Sequence, residues 1–137
     1  MAPVRAPADT LRRRQARFRR ELGDGEATLS LASDGEEAVG FAVVRLREGE
    51  ATFETGDSVA ELETMAVAPG RRGEGIGTAL MHHVHDRLAG QGIGFMSLTV
   101  LAGNDEAARF YRRFGMAATH ARMLGPVGPG RIRPPTE

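Results

Sequence analysis

The stretch from Met65 to Leu80 (Met65-Ala66-Val67-Ala68-Pro69-Gly70-Arg71-Arg72-Gly73-Glu74-Gly75-Ile76-Gly77-Thr78-Ala79-Leu80) constrains the fold more than any other part of the sequence. Residues 62–67 are apolar enough for a buried strand, and Pro69-Gly70 ends it. Ile76, Leu80, Val84 and Leu88 then recur at helical spacing. Between strand and helix, Gly73, Gly75 and Gly77 occupy every second position. Without a Cβ, backbone there can approach a ligand closely and aim its N–H groups at it. Such a turn presents free amides and the positive end of the helix dipole to one point, which predicts a phosphate or pyrophosphate site. Arg71 and Arg72 add positive charge beside it. Two other phosphate motifs are excluded. No Gly-Lys-Ser/Thr follows, and the G-x-G-x-G spacing differs from the dinucleotide fingerprint, which also asks for an acidic residue after a second strand.

The remaining elements follow from pattern and turn chemistry. Asp9-Thr10 caps a predicted helix over 11–22, crowded with Arg12, Arg13, Arg14, Arg17, Arg19 and Arg20. Its arginines read as a solvated face, as a patch for an acidic substrate or the adenosine phosphate of a cofactor, or as a transit peptide; Glu21, Asp24 and Glu26 speak against the last. Residues 27–32 and 38–46 form a hairpin around Ser33-Asp34-Gly35-Glu36, with a short strand extension at 51–53. Residues 59–67 form the strand that delivers the glycine turn. The helix after that turn ends with Gly90 as its C′ residue. A strand over 93–101 completes a βαβ unit with parallel strands. Asn104 caps a further helix, with arginines in its last turn and Gly115 at C′. Residues 116–124 read as a strand.

Glu61 and Glu63, two apart on one strand, share a face, and Met65 is expected on that face too. The pair reads either as a general base, its pKa raised by burial, or as a solvated strand edge. His82, His83 and His85 read as exposed helix residues, since no third converging ligand accompanies them; no metal is expected.

Composition narrows the function classes. The chain has 137 residues, 41% of them hydrophobic, which suits one domain with one core. That domain is expected over 1–125, followed by a flexible Pro/Gly tail over 126–137. The formal net charge is zero, which argues against nucleic-acid and membrane partners. Cysteine is absent, so there is neither a thiolate nucleophile nor a disulfide framework. No apolar run spans a membrane and no signal-peptide core is visible, so a cytoplasmic location is expected. Lysine is absent, so every Lys/Arg-type basic residue is arginine.

Two segments together resemble the GNAT family of N-acetyltransferases. The first is Arg72-Gly73-Glu74-Gly75-Ile76-Gly77 after Met-Ala-Val and a proline. The second is Asn104-Asp105-Glu106-Ala107-Ala108-Arg109-Phe110-Tyr111-Arg112-Arg113-Phe114-Gly115, at the family's separation from the first. The resemblance covers residues 38–119. It implies an α+β domain with a mixed, mostly antiparallel sheet, a βαβ unit carrying the CoA site, and a shortened N-terminal part. It implies acetyl-CoA as co-substrate and an amine acceptor, a small molecule or a peptide. The backbone of Met65, Ala66 and Val67 would pair with the pantetheine amides and polarise the thioester. Arg71, Arg72, Gly73, Glu74, Gly75, Ile76, Gly77 and Thr78 would hold the pyrophosphate. Asn104 and Ala107 would serve the pantetheine arm, and Tyr111 would give a proton to the departing thiolate. Glu61 resembles the position of the base in histone-type members. The short N-terminus leaves one wall of the acceptor pocket to a second subunit, so a homodimer is expected. A non-catalytic acyl-CoA sensor is the alternative of a different class. A nucleic-acid binder using the arginine-rich helix would show steep salt dependence.

Overall fold

Alternation of apolar and polar residues from Ala27 onward builds a hairpin, because each strand can then cover a core with one face. In the computed structural model, which describes residues 27–130, β1 (Ala27–Asp34) and β2 (Glu37–Glu48) run antiparallel around a two-residue turn with Gly35 at φ 62°. The helix expected at 11–22 lies outside the described residues. Residues 27–99 belong to one compact unit and residues 100–130 to a second.

In the first unit, β3 (Ser58–Val67) pairs antiparallel with β2. A 3-10 turn (Pro69–Arg71) and α1 (Ile76–Gly90) follow, and β4 (Met96–Ser97) pairs parallel with β3. The order β1-β2-β3-β4 is the mixed, mostly antiparallel sheet with a βαβ unit that the sequence predicts. The loop at 51–53 is a bend rather than a strand. The Gly49 amide closes that loop on Asp57 O at 2.9 Å, and a Cβ at Gly49 would overlap the Gly56 carbonyl. β4 is also far shorter than the expected 93–101. Its parallel ladder consists of Ala60↔Met96 and Glu61↔Ser97, and beyond it the ladder with β3 stops.

The core lies between α1 and the sheet. Leu80, Met81, Val84 and Leu88 are buried, together with Ala42, Val44, Ala60 and Leu62. Burial of each large side chain contributes about 1.5–3 kcal/mol. The helix can approach β2 this closely because residue 40 is glycine. A Cβ there would come within 3.0 Å of Ala66 O, 3.1 Å of Ile76 Cγ2 and 3.2 Å of Leu80 Cδ1. At its far end α1 runs through Gly90, and Gly92, at φ 77°, is the left-handed residue that stops it. Gly92 N–H bonds Ala89 O and Ile93 N–H bonds Leu88 O, both at 3.0 Å, the paired bonds of a Schellman cap. The cap residue is therefore Gly92 and not Gly90: only the left-handed turn at Gly92 lets its own N–H and that of Ile93 both bond back.

The second unit contains α2 (Asp105–Arg112), capped as its sequence requires. Asn104 Oδ1 accepts the Ala107 amide at 3.2 Å, and Gly115 at φ 83° closes the other end. The strand expected at 116–124 is absent; Met123 and Leu124 are exposed. A strand needs a partner ladder, and among the described residues none pairs with this segment.

Candidate active site

The glycine turn adopts the conformation its sequence asks for. Gly73 and Gly75 take φ of 81° and 84°, and among the described residues nothing lies within 4 Å of where their Cβ atoms would be. Gly75 is the N-cap of α1, and among the described residues no side chain caps the helix. The first amide to bond back is Ala79 N–H, to Gly75 O at 3.0 Å. Ile76, Gly77 and Thr78 therefore begin the helix with N–H groups that have no intrahelical acceptor, and the dipole adds its positive end. Open space, left-handed glycines and uncapped amides fit a phosphate group. Arg72 follows the 3-10 turn in extended conformation. Arg71 has partners already: Nε donates to both oxygens of Glu74 at 3.0 and 3.1 Å, and Nη2 donates to Asp34 Oδ2 at 3.0 Å. These bonds, first to Glu74 and then to Asp34, raise its pKa above the ordinary arginine value.

The strand leading into the turn carries an edge left unpaired among the described residues. Ala68 N–H bonds Val39 O at 2.8 Å, so by the antiparallel alternation Ala66 also faces β2 with its amide. Met65 and Val67 then direct their N–H and C=O groups away from β2. Among the described residues, no strand pairs with β3 on that side beyond Glu61. The edge is a ready ladder for an extended ligand carrying amides.

A β-bulge shapes this strand. Val43 pairs with Thr64 and Val44 with Leu62, which leaves Glu63 as the extra residue. The bulge reverses the alternation beyond it. Met65 lies opposite Ala42 and hence on the α1 face, with Gly40 and Val44. The expectation that Met65 shares a face with Glu61 and Glu63 is thus corrected: strict alternation fails across an inserted residue. Glu61 and Glu63 do share the opposite face, where two arginines of β2 hold them. Arg47 Nη2 lies 2.8 Å from Glu61 Oε1 and 3.1 Å from Glu63 Oε1; Arg45 Nε lies 3.1 Å from Glu63 Oε1. The hydrogen bond to Glu61 raises the Arg47 pKa above its ordinary value. The Glu63 side chain is only 5% exposed and that of Glu61 is 32% exposed, so Glu61 is the more accessible carboxylate. Arg45 and Arg47 are not legible as site residues in the sequence. Their signal was a two-residue period matching that of the glutamates, legible only once the register is known.

In the second unit, Tyr111 is half-buried on α2, its ring edge-on to Phe110 at 5.1 Å between centroids. Burial pushes its phenol above the ordinary value of 10.0, so the hydroxyl remains a donor throughout the physiological range. Asn104 spends Oδ1 on the helix cap, which leaves its Nδ2 hydrogens as donors. Ala107 supplies the capped amide.

A family model described as the acetyltransferase (GNAT) family matches residues 3–116. Streptothricin acetyltransferase from Streptomyces lavendulae is 35% identical over 97 residues, which cover 71% of this chain and 47% of that protein. The chain thus spans about half the length of this curated relative. Among solved structures, a tetramutant of the BH1408 protein from Bacillus halodurans superposes with a TM-score of 0.70 at 22% identity, over 82% of this chain and 73% of that one. Aminoglycoside N-acetyltransferase AAC(6')-Iy in complex with CoA gives a TM-score of 0.69 at 20% identity, over 88% and 90%. These two likenesses establish the fold.

Proposed function

The chain belongs to the GNAT acetyltransferase family, and from that premise we propose that it moves an acetyl group from acetyl-CoA to an amine by direct attack. The observation that carries the reading is the pairing, on consecutive segments, of the open β3 edge with the uncapped glycine turn. One suits the amides of a pantetheine arm and the other a pyrophosphate. A relative of the same fold is recorded in complex with CoA.

The amides of Ile76, Gly77 and Thr78, with Arg72, bind the pyrophosphate. Gly73 and Gly75 keep that space open. The edge at Met65 and Val67 orients the pantetheine arm, and a fixed N–H there polarises the thioester carbonyl. Asn104 holds the arm through Nδ2. The neutral amine attacks the carbonyl carbon, the C–S bond breaks, and Tyr111 gives the departing sulfur a proton. The amine loses its own proton to Glu61, directly or through water. Glu63, held by two arginines, fixes the position of Arg47 beside it. No acyl-enzyme forms, because both substrates meet in one complex and positioning supplies much of the rate.

On this reading the acceptor is a small-molecule or peptide amine; the named activity of the streptothricin relative makes antibiotic amines the first class to screen. The work is done in the cytoplasm, where acetyl-CoA is available, and by a homodimer. The exposed Leu29 and Leu31 on the outer strand β1 support an apolar contact between copies. The test is release of CoA thiol from acetyl-CoA across a panel of amines, with no thiol background from this cysteine-free chain. Glu61→Gln should lower kcat about 100-fold at neutral pH with the acceptor amine mostly protonated. An unchanged kcat for that variant would remove Glu61 from the mechanism.

A further inference from the structure

Glu74 poses an electrostatic problem. It lies between Gly73 and Gly75, inside the turn that the proposed function gives to a pyrophosphate, and an unscreened carboxylate there repels that ligand. The structure shows the compensation. Arg71 clamps Glu74 through Nε with two bonds, and Asp34, from the β1–β2 turn, takes Nη2. The guanidinium is therefore turned to the acid beside the site, and its charge, shared with Asp34, screens the charge of Glu74. The two bonds also fix the side chain of the residue between two left-handed glycines.

We infer that Arg71 is a positioning residue: it supports CoA binding by screening and holding Glu74, with no direct contact to phosphate. The inference rests on the reading of the glycine turn as the pyrophosphate site. It separates the roles of two adjacent arginines. Arg72 acts on the ligand, and Arg71 acts on the turn. Because all three partners are on the surface, the network contributes little to stability. Its effect belongs in ligand binding.

The test is a charge-removal rescue read by calorimetric titration of CoA into the full chain. Arg71→Ala leaves Glu74 uncompensated and should weaken CoA binding about tenfold, with the melting temperature of the free protein nearly unchanged. Arg71→Ala combined with Glu74→Gln removes the carboxylate as well and should restore the dissociation constant to within about twofold of wild type. In turnover assays the Arg71→Ala effect should fall on KM and not on kcat. A double variant as weak as Arg71→Ala alone would make Arg71 a direct phosphate ligand and overturn the inference. So would Arg71→Ala binding CoA like wild type. A wild-type chain that binds no CoA overturns the pyrophosphate reading and this inference with it, whereas wild-type binding with no rescue overturns this inference alone.

Discussion

Tyr111→Phe should lower kcat about 100-fold while leaving the acetyl-CoA dissociation constant within about twofold of wild type. The variant removes one hydroxyl and keeps the ring that stands edge-on to Phe110, so the packing of α2 is preserved. A hundredfold loss corresponds to about 2.7 kcal/mol of transition-state stabilisation, within the usual range for a group that protonates a leaving atom. The pH profile adds a second readout. Desolvation raises the phenol above its ordinary value of 10.0, and the acid must be protonated to act. Activity that depends on Tyr111 is therefore complete below pH 10 and lost only as pH rises through the raised value. The rate should climb with pH as the amine deprotonates, with no descending limb from Tyr111 below pH 10. The same sign holds for stability: the unfolded phenol ionises first, so this contribution fades only in strong alkali. Unchanged turnover in Tyr111→Phe would assign the leaving group's proton to another source. CoA binding without turnover in the wild type would favour the acyl-CoA sensor over the enzyme.

Gly75→Val should weaken CoA binding about 100-fold, the loss of roughly two charge-assisted amide contacts. The cause is conformation and not collision. Among the described residues nothing lies within 4 Å of the missing Cβ, but φ is 84°, where a β-branched side chain is strained. The chain escapes that strain by re-forming the turn, and the amides of Ile76, Gly77 and Thr78 then lose their common aim. The fold itself should weaken by only about 2 kcal/mol. Gly70→Ala is the control. Its site is equally open and its φ is not in the left-handed region, so binding should be unchanged. If both variants bind CoA like wild type, the turn is not the pyrophosphate site.

Much of this arrangement is legible in the sequence because its signals are local. The glycine turn, the Asn104 cap and Gly115 depend on residues a few positions apart, and the structure shows each in the predicted place. The apolar seam of α1 is likewise local, with Leu80, Val84 and Leu88 buried as their spacing requires. The illegible features depend on register and partners. The bulge at Glu63 moves Met65 to the other face, and no pattern within β3 announces it. The Arg45–Arg47 pair with the glutamates needs the β2–β3 alignment. The strands expected at 93–101 and 116–124 were apolar enough, but a strand exists only where another ladder meets it. Gly90 and Gly92 could each end α1, and the choice falls to the one whose left-handed turn lets two successive amides, of Gly92 and Ile93, bond back.

Binding of CoA by the glycine turn and the β3 edge is measured by thermal melting of the full chain with acetyl-CoA, free CoA and adenosine diphosphate. A ligand at about 100 times its dissociation constant adds about 2.7 kcal/mol, a rise of several degrees for a chain of this size. That rise is expected with acetyl-CoA and with CoA, and a much smaller one with adenosine diphosphate, which lacks the pantetheine arm that the β3 edge would pair. Equal melting temperatures with and without acetyl-CoA would contradict it.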